Sequence, residues 1–253
     1  MKEKITLIGN GNMSYALASG LVSHYELEIV GRDIQKLNSF EEKLQTSITK
    51  TLYANFDATA KTLILCVKPA NITAIKTLIS GEAKTLYSVL AGTSIEKLKL
   101  NIQAKNYVRA MPNLAANIGK SMTTLTGETS CMNEAITIFS SIGPTLWVAS
   151  QKELDIATAL AGSGPAYLAL IAEAFTDGAV KQGLKRDDAM TLMRGLFLGF
   201  SEIVQDIHPA LLKDTVMSPG GTTAAGYSAM EENGVRNGCI KAIEAAYNRA
   251  KEL

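Results

Sequence analysis

Ile5-Thr6-Leu7-Ile8-Gly9-Asn10-Gly11-Asn12-Met13-Ser14 decides how the rest of the chain folds. The apolar run Ile5 to Ile8 has the pattern of a short buried strand and stops at a glycine. Beyond it, Ala16, Leu17, Gly20 and Leu21 recur at the spacing of one helical face. Strand, glycine turn and helix in this order open a βαβ unit. The turn has the form G-x-G-x-x-S, a dinucleotide fingerprint with Ser14 at the position of the usual third glycine. Gly9 permits the tight turn, Gly11 lets a pyrophosphate lie against the backbone, and Ser14 is small enough for helix and strand to pack closely.

The same alternation continues through the first half. Leu27 to Val30 predicts a second strand, ending at Gly31-Arg32-Asp33 and followed by a charged amphipathic helix through about Leu44. Further strands are expected at Thr62 to Val67, Leu86 to Leu90 and Tyr107 to Ala110, with a helix over Pro69 to Ile79. Met122 to Leu125, a helix over Met132 to Ile142, and Thr145 to Val148 extend the far edge. Repeated strand–helix units with apolar strands imply a Rossmann-type, doubly wound, mostly parallel sheet covered on both faces. At the second strand's end, Arg32 stands where an arginine meets an adenosine 2′-phosphate, whereas Asp33 suits a ribose hydroxyl. The arginine comes first, so NADPH is the expected cofactor, with NADH left open. Val67-Lys68-Pro69, Ala91-Gly92-Thr93 and Arg109-Ala110-Met111-Pro112-Asn113 each follow a strand's carboxyl end, the edge where open α/β sheets bind ligands. Lys68 either contacts the cofactor's ribose or points to water.

Past Val148 the period changes, and Ala149-Ser150-Gln151-Lys152 reads as a junction between a dinucleotide-binding domain over 1–150 and a helical domain over 151–253. Gly162-Ser163-Gly164-Pro165 interrupts one helix, and Pro165 starts another in which Tyr167, Ile171, Ala174, Phe175 and Gly178 share a face. Met193, Leu196, Phe197, Phe200, Val204 and Ile207 mark the next, and Ile240, Ile243, Tyr247 and Ala250 the last. Helices this apolar would leave faces uncovered in a monomer, so a homodimer through them is expected. Between the last two lies Val216-Met217-Ser218-Pro219-Gly220-Gly221-Thr222-Thr223-Ala224-Ala225-Gly226. Ser218 suits an N-cap and Pro219 a first helical position, so a helix is expected to begin there, its free N–H groups reachable over Gly220 and Gly221. With the hydroxyls of Thr222 and Thr223 it makes a pocket for a carboxylate or phosphate.

The chain has 253 residues, 19% charged, with a net charge of +1, and carries no electrostatic footprint for nucleic acid or an anionic membrane. Cys66, Cys131 and Cys239 are far apart and form no C-x-x-C pair, which suits buried thiols in a reducing compartment rather than a disulfide or metal framework. Met1-Lys2-Glu3-Lys4 leads into a run too short for a signal peptide, and no stretch reaches the ~18 uninterrupted apolar residues of a membrane helix. A cytoplasmic protein acting on a small molecule is expected.

Taken together, Gly9-Asn10-Gly11-Asn12-Met13, Val67-Lys68-Pro69, Met111-Pro112-Asn113, Ala161-Gly162-Ser163-Gly164-Pro165-Ala166-Tyr167 and Ser218-Pro219-Gly220-Gly221-Thr222-Thr223 make the whole chain resemble the pyrroline-5-carboxylate reductase family. The resemblance implies a Rossmann domain, a helical domain intertwined with a second subunit's, an active site between the domains, and assembly of dimers into a ring of five. It assigns Ile8, Gly9, Asn10, Gly11, Asn12 and Met13 to the cofactor's pyrophosphate end. Asn55, Val67, Lys68, Pro69 and Ala91 fall on the ribose and nicotinamide side, and Ser218, Gly220, Gly221, Thr222 and Thr223 on the substrate. Thr215, Val89-Leu90-Ala91 and Gln151 depart from residues common in the family.

The implied reaction adds hydride to the C=N carbon of a cyclic imine bearing a carboxylate, and needs a donor near nitrogen rather than a strong base. His24, at an expected helix end, and His208, before a proline, suit structural roles. The Thr223 hydroxyl is the candidate donor. A β-hydroxyacid or ketopantoate-type dehydrogenase would want a positioned lysine in the helical domain, where Lys181 and Lys185 look like a polar helix end. A non-catalytic NADPH sensor would keep Gly9 and Gly11 with little use for Ser218 to Thr223.

Overall fold

The computed structural model describes residues 2–252, which form two compact units. One comprises the chain up to Ser163 together with the residues from Ala245 on; the other is Gly164–Glu244.

The first unit is built on an eight-stranded sheet: β1 (Lys4–Ile8), β2 (Glu26–Gly31), β3 (Thr49–Leu52), β4 (Thr62–Leu65), β5 (Ala83–Ser88), β6 (Ala104–Met111), β7 (Thr123–Gly127) and β8 (Thr145–Trp147). Their order is β3-β2-β1-β4-β5-β6-β7-β8, and every pairing is parallel except β6 with β7. Chain order reverses between β1 and β4, which makes a crevice at their carboxyl ends. Helices α1 (Asn12–Leu21), α2 (Ile34–Leu44), α3 (Ile72–Ile75), α4 (Ile95–Lys99), α5 (Met132–Ser140) and α6 (Gln151–Ala157) connect or cover the strands. Both faces carry a core. Leu7, Leu17, Ile29, Tyr87 and Phe139 lie on one side, and Ile8, Val30, Leu63, Leu65 and Leu86 on the other. Adjacent residues of one strand alternate between the two cores, as the pleat requires.

Local chemistry fixes the ends of these helices. Asp33 caps α2 by accepting from the Gln35 amide at 2.8 Å, and Ser94 does the same for α4 from Lys97 at 3.2 Å. At α6, Ser150 accepts from the Glu153 amide at 3.2 Å while a Glu153 carboxylate oxygen accepts from the Ala149 amide at 3.1 Å, so two otherwise free donors are satisfied. Buried Glu28 ties its own strand, β2, to β1, to β3 and to the residue before β4. Its carboxylate accepts from Thr6 (2.9 Å), Thr51 (2.7 Å) and Lys61 (2.7 Å).

The structure departs from the sequence-based expectations at several elements. Strand β3 was not expected: T-K-T-L is polar and half exposed, as suits an edge strand, and carries little apolar signal. The helix expected over Pro69 to Ile79 is a 3₁₀ turn at Pro69–Asn71 followed by the single turn α3. After α6 the chain runs through a π-helical turn, Thr158–Gly162, closed by the Ser163 amide donating to the Thr158 carbonyl at 3.0 Å.

The second unit is helical: α7 (Gly164–Lys181), α8 (Arg186–Ile203), α9 (Pro209–Val216), α10 (Thr222–Glu232) and α11 (Val235–Lys251), whose last residues belong to the first unit. His208 caps α9, its Nδ1 accepting from the Ala210 amide at 3.3 Å. Many large apolar side chains here are exposed in a single chain, among them Leu168, Leu192, Leu196, Phe200 and Leu198, the last at 69%. The run Gln151–Lys181 is long and apolar enough to cross a membrane by length and composition alone, with a mean hydropathy of 1.4 in its most apolar window.

Candidate active site

The crevice between β1 and β4 is shaped by backbone. As β1 ends, the Gly9 amide donates to the Val30 carbonyl at 2.8 Å, and the Cys66 amide donates to the Ile8 carbonyl at 2.9 Å, so the ends of β2, β1 and the segment after β4 are joined edge to edge. Gly9 takes φ +110°, and a Cβ there would stand 2.9 Å from the Cys66 carbonyl oxygen. No residue but glycine fits. Gly11 is the N-cap of α1 and supplies no side chain to its free amides. A Cβ on Gly11 would meet nothing within 4 Å, so the space over the helix start is open.

The resulting cleft holds about 250 Å³. Gly9, Asn10 and Gly11 line one end; Gly31, Arg32, Asp33, Lys36 and Tyr53 line the side toward β2; Cys66, Val67, Lys68 and Asn71 line the side toward β4. Arg32, Lys36 and Lys68 are exposed cations, and the carboxylate of Asp33 is engaged by the Gln35 amide. Burial raises the Tyr53 hydroxyl's pKa against the opposing pull of Arg32, so it stays neutral, and burial likewise pushes the Cys66 thiol up. An open helix start beside three cations suits a polyanionic nucleotide, and these residues fit a phosphorylated dinucleotide.

The structure separates the expected cofactor residues. Gly9, Asn10, Gly11, Arg32, Val67 and Lys68 line the cleft. Ile8 is fully buried beneath it, and Met13 packs against the core. Asn12 begins α1, and Pro69 begins the 3₁₀ turn after Lys68. Asn55 ends a 3₁₀ turn, Tyr53–Asn55, and is exposed, while Tyr53 of the same turn lines the cleft. Ala91 lies half-buried past the end of β5, its carbonyl accepting from the Thr93 hydroxyl at 3.4 Å. Lys36, Tyr53 and Asn71 also line the cleft, and the sequence reading does not include them.

Arg109 and Asn113, expected to border a ligand, turn inward instead. Arg109 is 2% exposed, pairs with Asp155 at 2.7 Å and reaches the Gln151 amide oxygen at 3.4 Å. That same oxygen accepts from the Ile95 amide at 2.8 Å. The Asn113 side chain donates to the Ala161 carbonyl at 3.0 Å, inside the π turn. These bonds fasten the α6–π segment to the carboxyl end of β6, the segment after it and the start of α4.

In the second unit the stretch from Ser218 to Thr223 corrects the expected helix start. The Gly221 amide donates to the Ser218 carbonyl at 3.0 Å and Gly220 takes φ +70°, so Ser218-Pro219-Gly220-Gly221 is a β-turn with proline and glycine at its centre. Helix α10 begins only at Thr222, with Gly221 as N-cap and no side-chain cap. The Thr222 and Thr223 side chains are exposed beside its free amides. Chemically this is a neutral anion cradle with two hydroxyl donors.

Fold and cleft thus define a nucleotide-dependent oxidoreductase of the Rossmann class joined to a helical unit. Residues 151–253 match the family described as pyrroline-5-carboxylate reductase dimerisation, and residues 4–92 match NADP oxidoreductase, coenzyme F420-dependent. A pyrroline-5-carboxylate reductase of Synechocystis sp. is 34% identical over 100% of this chain and 99% of its own. The chain belongs to the pyrroline-5-carboxylate reductase family. A solved 1-pyrroline-5-carboxylate reductase from Streptococcus pyogenes superposes with a TM-score of 0.88 at 28% identity, covering 99% of this chain and 98% of the other. The Plasmodium falciparum pyrroline carboxylate reductase, solved with NADP bound, gives 0.82 at 28% identity, covering 99% and 97%.

Proposed function

We propose that this protein reduces the C=N bond of Δ1-pyrroline-5-carboxylate to give L-proline, the last step of proline synthesis, using NADPH. The observation that carries it is the full-length similarity to pyrroline-5-carboxylate reductases, and the cleft of glycines and cations at the β1–β4 crevice supports it. NADPH bound in the cleft would supply the hydride for the imine carbon. The chain's own groups do the placing. Gly9 to Met13 and the start of α1 would hold the cofactor's pyrophosphate, Arg32 its 2′-phosphate, and Val67, Lys68, Pro69, Ala91 and Asn55 would border its ribose and nicotinamide. Ser218, Gly220, Gly221 and Thr222 hold the substrate carboxylate through neutral donors. The Thr223 hydroxyl stands at the ring nitrogen, which carries a proton before transfer and ends as the secondary amine. No general base is required, since protonation already activates the electrophile.

The helical part of residues 151–253 serves as the homodimer interface, supported by its family match and by the exposed Leu168, Leu192, Leu196 and Leu198. The protein works in the cytoplasm, and the dimers close into a ring of five.

The test is loss of NADPH absorbance with the pyrroline against a panel of 2- and 3-oxo acids, repeated with NADH. Oxidation with the pyrroline alone is expected; oxidation only with an oxo acid would move the protein to the dehydrogenase class. Thr223→Ala should lower kcat/KM about tenfold or more while sparing NADPH affinity. Wild-type turnover in that variant would remove Thr223 from the reaction.

A further inference from the structure

Ala161 stands just before the Ser163–Gly164 boundary of the two units, and the sequence deprives it of a partner there. In a continuous α-helix its carbonyl would accept from the amide of residue 165. Residue 165 is proline, which has no N–H and whose ring crowds the carbonyl four residues back. The helix widens at this point into the π turn Thr158–Gly162, and Nδ2 of Asn113 donates to the Ala161 carbonyl at 3.0 Å, in the role of the missing amide. Asn113 is itself held from several sides. Its backbone amide donates to the Ser121 hydroxyl at 2.9 Å, its Oδ1 accepts from the Ala115 amide at 3.0 Å, and the Ser121 hydroxyl lies 3.1 Å from that of Thr123. Asn113, Ser121 and Thr123 are all buried, and a satisfied buried polar network specifies one arrangement. A Cβ on Gly162 would stand 3.8 Å from Met111 Cγ, so the turn lies against the end of β6. A Cβ on Gly164 would meet nothing within 4 Å, so packing does not hold the residue that opens the second unit.

We infer that Asn113 is a positioning residue: by giving the Ala161 carbonyl the donor that Pro165 withholds, it anchors the π turn to the segment after β6 and fixes where the chain leaves the nucleotide-binding unit. The inference rests on the proposed reaction, in which the first unit holds the nucleotide and Ser218 to Thr223, in the second, hold the substrate. Their productive meeting depends on where the helical unit departs. Hydride transfer tolerates little error, and a misplacement of about 1 Å caused far from the chemistry costs about 10²-fold in rate.

The test measures kcat and KM for the pyrroline, and NADPH affinity by calorimetry, in the whole protein. Asn113→Asp keeps an acceptor for the Ala115 amide and loses only the donor; Asn113→Ala loses both. Each should lower kcat about tenfold or more while NADPH affinity stays within about twofold of wild type. Pro165→Ala gives residue 165 an N–H, so adding Asn113→Ala to that variant should cost less than about threefold in kcat. Three results overturn the role of Asn113 while leaving the reaction in place: wild-type kcat in both single variants, a loss of NADPH affinity as large as the loss of kcat, or the same factor lost with proline and with alanine at 165. Failure of wild type to turn over the pyrroline overturns the reaction reading and the positioning role with it.

Discussion

Replacing Gly9 or Gly11 by alanine separates what the fingerprint does for the fold from what it does for the cofactor. At Gly9 the added methyl carbon falls 2.9 Å from the Cys66 carbonyl oxygen and 3.2 Å from the carbonyl carbon and from Val67 Cγ1, at a φ of +110°. The backbone conformation alone costs an alanine about 1–3 kcal/mol, and the overlap is with a main chain that cannot swing aside, adding about 1–3 kcal/mol. A total near 3 kcal/mol lowers the melting temperature of a chain this size by roughly 6–12 °C. At Gly11 the same methyl meets nothing within 4 Å. Gly11→Ala should therefore lose only what a poorer N-cap costs, about 1 kcal/mol or roughly 2–4 °C, yet bind NADPH at least tenfold more weakly, about 1.4 kcal/mol, because the methyl occupies the space the pyrophosphate needs. Thermal unfolding and calorimetric titration of both variants decide the matter. Wild-type affinity in Gly11→Ala would refute the placement of the pyrophosphate, and wild-type melting in Gly9→Ala would refute the steric account.

Two further outcomes concern buried charge. Burial pushes the Glu28 carboxyl upward, but bonds from Lys61, Thr51 and Thr6 more than offset this and hold it below the ordinary carboxylate range. A depressed folded pKa contributes stability above the unfolded value and loses it as pH falls through the folded one. Urea unfolding should show Glu28→Gln about 1.5–3 kcal/mol less stable at pH 7, the gap closing toward pH 3; a gap independent of pH would contradict the linkage. Asp155→Ala strands the buried Arg109 guanidinium and should cost about 3 kcal/mol, the low end for a broken buried pair because Asp155 is partly exposed, with Asp155→Asn milder. Equal melting temperatures for all three proteins would show that Arg109 finds another partner.

The Rossmann half was legible because its signals are local. Strands β1, β2 and β4 are mostly apolar, broken only by Lys4 and Thr6, by Glu26 and Glu28, and by Thr62, and glycines sit where the turn requires them. What failed to show was set by tertiary contact. Strand β3 exists because Thr49 to Leu52 pair with Glu28 to Gly31, not because its own composition demands extension. Arg109 and Asn113 follow a strand end, as ligand-binding residues do, but sequence position does not say which way a side chain turns, and their partners Asp155 and Ala161 lie 46 and 48 residues on. Ser218-Pro219 obeys the rules for a helix start, and the following Gly220, at positive φ, converts it into a turn. Lys36 reads as one more solvated charge on an amphipathic helix until the cleft beside it is seen.

The cap on α2 also bears on how readily this cleft could change its cofactor. A rotation of the Asp33 carboxylate that broke its bond to the Gln35 amide would forfeit about 1 kcal/mol of helix stability. Any route to NADH that needs such a rotation therefore loses stability before binding improves. An engineered switch that moved Asp33 would need a replacement cap in place before Arg32 is neutralised.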